Sequence, residues 1–189
     1  MENLLLNDGI AQYYGKVIPT PDVYLEKLLA TIEWKNDEVV LFGKRITTKR
    51  KTAWHGSEPF AYKYSGATKT ALPWTKELLE LKAIAEELSR ETYNSCLLNL
   101  YHDGSESMGW HSDDEKTIVK CSAIASISLG ADRKFAFRHK RSKETVSLVL
   151  ENGSLLVMKG ETQEFWQHAI PKQMKVLDAR VNLTFRKFG

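Results

Sequence analysis

Arg180-Val181-Asn182-Leu183-Thr184-Phe185-Arg186, close to the C-terminal end of the chain, is the stretch whose alternation decides the fold. Side chains in a β-strand point to opposite faces in turn, so Arg180, Asn182, Thr184 and Arg186 share one face and Val181, Leu183 and Phe185 share the other. Inside an apolar sheet, two arginines on one face are costly unless something anionic compensates them. The strand rises roughly 20 Å across its length, and each arginine reaches inward by about 6 Å, which leaves a gap of about 8 Å. A small dicarboxylate fits that gap, and planar guanidinium forks suit carboxylates better than ammonium groups do.

Working back from this strand, residues 95–101, 123–129, 134–139, 145–150 and 154–158 read as further short strands. They are separated by Asp103-Gly104, Gly130-Ala131-Asp132 and Glu151-Asn152-Gly153 turns. Ahead of them lie two helices. Thr20-Pro21 opens one as N-cap and first helical residue, running to about residue 34. The second spans about 74–90, with Leu78, Leu81, Ile84, Ala85 and Leu88 at helical spacing. Two helices followed by many short strands predict an α+β fold, in which helices brace a jelly-roll-like sandwich or barrel.

At 189 residues the chain is one domain with room for a full core. Its 42% hydrophobic and 27% charged residues exclude global disorder. Two cysteines, Cys96 and Cys121, form no CxxC pair and are read as reduced thiols in apolar, strand-like surroundings. MENLLLNDG has neither a basic n-region nor an apolar run of signal-peptide length, and no segment reaches membrane-span length. These features lead to the expectation of a soluble, intracellular, monomeric protein without a membrane partner: cytoplasmic, or nucleoid-associated in a bacterium and nuclear in a eukaryote. The net charge of +3 says little, but its distribution says more. Lys44, Arg45, Lys49, Arg50 and Lys51 form one basic cluster, and Arg138, Lys140, Arg141 and Lys143 another. Each alone is readily a solvated loop; two of them flanking an active site point to phosphate contacts.

His111-Ser112-Asp113 is an H-x-D pair whose side chains project the same way from an extended segment. With the distant His168 it makes a two-histidine, one-carboxylate set, the type that binds non-haem Fe(II) and leaves coordination positions open. By itself this is a weak signal: His168 also reads as a surface or capping histidine, and Asp113 as part of a solvated acidic turn. The arginine strand strengthens it. Asn99 and Tyr101 share one face of the 95–101 strand and can hydrogen-bond an acid beside the metal, although a Tyr and Asn satisfied by backbone are common. A zinc hydrolase using the same three ligands is the alternative, but it gives no reason for two inward arginines.

Seven segments carry a resemblance that spans the chain from about residue 8 onward: FGK at 42–44, YKYSG at 62–66, LNLYHDG at 98–104, HSDDE at 111–115, FAFRHK at 135–140, NGSLLVM at 152–158 and RVNLTFRKF at 180–188. In these the sequence resembles the AlkB-type Fe(II)- and 2-oxoglutarate-dependent dioxygenases that reverse alkylation damage on nucleic-acid bases, most of all the branch with the animal duplex-DNA repair demethylases. The resemblance implies a double-stranded β-helix core over about 95–189. A nucleotide-recognition lid and a bracing helix would occupy about 35–95. It implies iron held by His111, Asp113 and His168, and 2-oxoglutarate held by Asn99, Tyr101, Arg180, Thr184 and Arg186 with Asn182 in support. Which arginine takes which end of the acid stays open. O2 would convert 2-oxoglutarate to succinate and CO2 while an N-methyl group is hydroxylated, and the resulting hemiaminal would lose formaldehyde.

On the substrate side, a methylated base must leave its helix to reach buried iron. By resemblance Tyr62 and Tyr64, with Ser65, line the lid, and His111 offers a further ring face. Asp114 and Glu115 would face the base edge, where carboxylates favour the cationic 1-methyladenine and 3-methylcytosine. Phe42 before Gly43 is the expected wedge into the base stack, although it also reads as strand core. Arg50 and Lys44 would grip phosphates. The turn KRSKE at 140–144 is shorter than in duplex-specific relatives. It leaves the same chemistry on RNA or single-stranded DNA as a second reading, beside a non-catalytic nucleic-acid binder.

Overall fold

The computed structural model describes residues 2–41, 44–64 and 67–189, and side chains outside 38–46 and 61–69. Its strands are β1 (Ile10–Lys16), β2 (Lys35–Leu41), β3 (Lys44–Gly56), β4 (Ala61–Tyr64), β5 (Ala67–Thr70), β6 (Ser95–Tyr101), β7 (Met108–His111), β8 (Ile124–Gly130), β9 (Arg133–His139), β10 (Thr145–Leu150), β11 (Ser154–Lys159), β12 (Trp166–Ile170) and β13 (Arg180–Arg186). The helices are α1 (Pro21–Thr31), α2 (Lys76–Ser89) and the single turn α3 (Thr162–Phe165).

A seven-stranded sheet runs β1-β11-β8-β13-β6-β3-β2, a four-stranded sheet runs β10-β9-β12-β7, and β4 and β5 form a separate hairpin. The arginine strand β13 is thus the central strand of the larger sheet, and all seven of its residues are buried. Its apolar face does what the alternation demands. Val181, Leu183 and Phe185 join Leu98, Leu100, Ile127 and Leu129 in a core that α1 and α2 close with Leu28, Leu78, Leu81 and Ala85. The opposite face of the sheet meets the smaller one through a second core, in which Ile124, Leu156 and Met158 pack with Phe135, Phe137, Trp166 and Ile170. Helices therefore cover one face of the large sheet, and the polar face of β13 lies between the two sheets.

The helix boundaries follow from local chemistry. α1 opens at Pro21, where no amide partner is needed, but the Thr20 side chain makes no cap bond. The helix stops at Thr31, short of the expected 34, because the backbone turns extended at Ile32. Trp34 instead donates its indole N–H back to the Leu28 carbonyl at 3.2 Å. α2 is capped by the Thr75 hydroxyl, which accepts from the Leu78 amide, and ends at a left-handed Arg90. The basic run at 44–51 lies in the thirteen-residue β3, paired with β2 on one side and β6 on the other. Cys121 is exposed in a turn, unlike the strand-like setting expected for it, while Cys96 is buried.

Gly104 couples two connections that flank the site. Its amide donates to the Val176 carbonyl and its carbonyl accepts from the Gln173 amide, both at 2.8 Å. A Cβ there would sit 1.9 Å from the Gln173 carbonyl oxygen, so only glycine permits the approach. Among the described residues, no helix is long and apolar enough to cross a membrane.

Candidate active site

β7 and β12 are neighbours in the smaller sheet, with His111 opposite His168 in register. This pairing is how residues far apart in sequence meet. The ligand atoms of His111, Asp113 and His168 all lie within 4.8 Å of one another. Nε2 of His111 is 3.7 Å from Asp113 Oδ1, and Nε2 of His168 is 3.9 Å from the same oxygen. His111 Nδ1 is 2.8 Å from the Gly109 carbonyl, an acceptor, so the proton belongs on Nδ1 and the Nε2 lone pair faces the other two ligands. The segment between them is fixed from both sides. The Ser112 hydroxyl donates to the Trp166 carbonyl at 2.9 Å, and the Asp113 amide donates to Gln163 Oε1 at 2.9 Å.

Burial pushes the His168 imidazole down to about 3, so it is neutral and ready as a ligand at ordinary pH. Phe135 stacks on it at 5.4 Å. Burial opposes ionisation of Asp113 most strongly, but the Arg186 guanidinium and the His168 and His111 imidazoles together outweigh it and hold the carboxyl down at about 2. Arg186 Nη2 is 2.9 Å from Asp113 Oδ2, and Nη1 is 3.8 Å from Glu115. Two neutral imidazole nitrogens and one carboxylate oxygen converging on a point are a donor set that fits a divalent iron.

Both arginines of β13 point inward, with Arg180 1% and Arg186 7% exposed. Arg180 donates Nη2 to the Ser128 hydroxyl at 2.9 Å, but its Nε and Nη1 have no partner. Among the described residues no carboxylate lies against it. Burial, with Arg133 nearby, lowers its guanidinium to about 10. Three guanidiniums surround the Tyr101 ring: Arg180 at 5.4 Å, Arg133 at 5.6 Å and Arg50 at 5.9 Å. Arg133, fully buried, donates to the carbonyls of Asp103, Glu106 and Pro171. Arg50 is paired with Asp37. Arg180 alone of the three keeps buried donors unmet, and Arg186 Nε is also without a partner. Buried donors without acceptors at both ends of one strand fit an acid with two carboxylates.

Arg50 corrects an expectation. It is not a surface contact for phosphate but is 6% exposed, with Nη2 2.6 Å from Asp37 Oδ2 and Nη1 2.6 Å from Asn99 Oδ1. β2 and β6 flank β3, so a carboxylate neutralises its charge from one side and an amide oxygen accepts from it on the other. By occupying Oδ1, Arg50 also sets which end of the Asn99 amide faces the cavity: the NH2 donor. Asn182 donates to the Ser126 hydroxyl at 2.8 Å and its oxygen accepts from Thr184 at 3.0 Å, which places Asn182 behind Thr184 in support.

The cavity between the sheets is about 400 Å³, and Asp114 and Glu115 both line it, Glu115 leaning toward Arg186. Phe42, Gly43 and Ser65 lie outside the described residues, as do the side chains of Lys44, Tyr62 and Tyr64. Sequence reading missed Asp37, Gln163, Ser126 and Ser128. The two serines had a signal: in IASISLG they recur every second residue, marking a polar face of an otherwise apolar strand.

A cavity between two facing sheets, with His111 and His168 on one, Asp113 just beyond β7 and unmatched guanidiniums on the other sheet, is a site for a metal and a dicarboxylate. The family model of the 2OG-Fe(II) oxygenase superfamily matches residues 22–186, and the chain belongs to this superfamily, which brings Fe(II), 2-oxoglutarate and O2 with it. Its similarities within the superfamily are to AlkB-type dioxygenases. It is 40% identical over 188 residues to human alpha-ketoglutarate-dependent dioxygenase alkB homolog 3, covering 94% of this chain and 65% of that protein. It is 42% identical over 158 residues to the mouse DNA oxidative demethylase ALKBH2, covering 79% of this chain and 66% of that one. The chain thus spans just under two thirds of the length of these relatives. The solved structure of OsALKBH1 shares the fold, with a TM-score of 0.64 at 17% identity, covering 97% of this chain and all 100% of the other.

Proposed function

We propose that this protein is a nucleic-acid oxidative demethylase that removes N-methyl groups from 1-methyladenine and 3-methylcytosine. The observation that carries the reading is the buried pair Arg180 and Arg186, one with unmet donors and the other on the carboxylate of the His-Asp-His set. In this reading His111, Asp113 and His168 hold the iron. Arg186, 2.9 Å from Asp113, takes the end of 2-oxoglutarate next to the metal, and Arg180 with Ser128 and Tyr101 takes the distal carboxylate. Asn99 and Thr184 lie between these ends on neighbouring strands.

Bound Fe(II), with 2-oxoglutarate and O2, supplies the oxidation: one oxygen atom enters succinate, the other enters the N-methyl C–H bond, and CO2 leaves. The protein's part is placement. The half-exposed His111 ring offers a face to a flipped base, and Asp114 and Glu115 favour a cationic ring over its neutral product. The hydroxymethyl amine then releases formaldehyde, and the base regains its pairing edge. Support comes from the relatives, one of them a DNA oxidative demethylase by name.

A second reading concerns the strand state. The turn between β9 and β10 is five residues, 140–144. Such a turn reaches only about 8 Å beyond the sheet, short of the far strand of a duplex, which favours single-stranded substrate. The test is turnover of 3-methylcytosine oligonucleotides, single-stranded and in duplex, by the iron-loaded protein with 2-oxoglutarate. One formaldehyde per succinate is expected, faster on single strands. Succinate without formaldehyde on either substrate would overturn the demethylase reading, and faster duplex turnover would overturn the strand preference.

A further inference from the structure

We propose a second nucleobase site outside the cavity: Trp110, on the outer face of the four-stranded sheet, is a stacking platform for a nucleotide flanking the one in the active site. The inference rests on the nucleic-acid reading above and extends it.

β7 is the edge strand of the smaller sheet, and it carries His111 on its inner face. Trp110, one residue earlier, therefore points outward. The indole is 38% exposed, on the edge beside the His111 ring that faces the cavity. It is not a stray apolar side chain. Arg138 reaches across β12 from β9 and sets its guanidinium 4.4 Å from the indole centroid. Gln167 Oε1 accepts Arg138 Nη2 at 3.1 Å and holds the guanidinium in place, while Arg138 Nε has no partner. An oriented aromatic with a cation against it is the pairing that single-stranded nucleic acids use, bases on the ring and phosphates on the charge.

The surroundings select the partner by charge. The strands β7, β9, β10 and β12 contain no Asp or Glu at all. Outward positions of β9 carry Lys134 and Arg138, and the adjoining turn adds Lys140, Arg141 and Lys143 against the single acid Glu144. A lone aromatic in a basic field lacks the contiguous apolar area that a protein partner buries, but it complements a base and its phosphates. A strand that sends one base past His111 into the cavity passes the β7 edge, where its neighbour meets Trp110.

The test uses Trp110→Ala, Trp110→Leu and Trp110→Phe in the full chain, with binding of an unmodified single-stranded oligonucleotide of about ten nucleotides read by fluorescence anisotropy. Ala and Leu are expected to weaken binding about 5- to 100-fold, and Phe to keep most of it. Leu and Phe both retain apolar bulk and differ in the π-face, so their comparison decides even where Ala folds poorly. Leu binding as tightly as wild type would overturn the platform. Formaldehyde release from methylated substrate is read separately. Lost binding in the Leu variant with no formaldehyde from wild type would retain the platform and reject the demethylase reading; unchanged binding with formaldehyde would do the reverse.

Discussion

Arg50 and Asp37 show how a buried charge changes role once its neighbours are known. In the sequence Arg50 belongs to a basic run, and a basic run reads as a phosphate grip. In the fold it is sealed between Asp37 and Asn99, with both contacts at 2.6 Å. Nothing in one sequence reveals that pairing, because it crosses strands and β2 shifts register against β3 between Asn36 and Glu38. Asp37→Ala strands the guanidinium in the interior. It is expected to destabilise the protein by about 3–5 kcal/mol in urea unfolding and to raise the 2-oxoglutarate KM, because Arg50, which orients the Asn99 amide, loses the carboxylate that fixes it. Unchanged stability would mean the pair is idle. His111, Asp113 and His168, by contrast, were legible as residue types, because few other reasons place that set beside two inward arginines. Asp113→Ala is expected to abolish succinate formation from 2-oxoglutarate and, because it strands Arg186 as Asp37→Ala strands Arg50, to lower stability as well; a fully active variant would remove the iron assignment.

At the scale of elements, β13 and β6 were legible because their alternation is strict and their polar positions are few. β7 and β12 were not. They are four and five residues long, too short for a periodicity to register, yet they carry two of the three metal-ligand candidates. Helix α2 was expected from its apolar spacing over about 74–90; it starts at Lys76, with Thr75 as its cap. Thr75→Ala should cost about 1 kcal/mol, with a lowered melting temperature as the measure and no change in 2-oxoglutarate KM. Gly104 binds the β6–β7 connection to the segment before β13, and the Asp103 and Glu106 carbonyls in that connection hold Arg133. Gly104→Ala forces these apart. Thermal unfolding and 2-oxoglutarate KM are expected to worsen together, and a variant as stable as wild type would show the close approach to be dispensable.

Across the whole molecule, two sheets share the labour. The larger one, backed by α1 and α2, is a rigid base whose central strand presents cations. The smaller one presents the ligand set inward and, on its other side, the basic face around Trp110. A ligand that bridges the two sheets should therefore stabilise the entire fold. At about 100-fold above its Kd, 2-oxoglutarate with metal is expected to add about 2.7 kcal/mol, read as a rise in unfolding midpoint. The most direct test compares two ligands on metal-loaded protein under anaerobic conditions, 2-oxoglutarate and 2-oxobutyrate, which lacks the distal carboxylate. Wild type should prefer the diacid by about 2–5 kcal/mol, the range for losing one partner of a buried charge pair, and Arg180→Ala should erase that preference. Equal affinity of wild type for both acids would contradict the account.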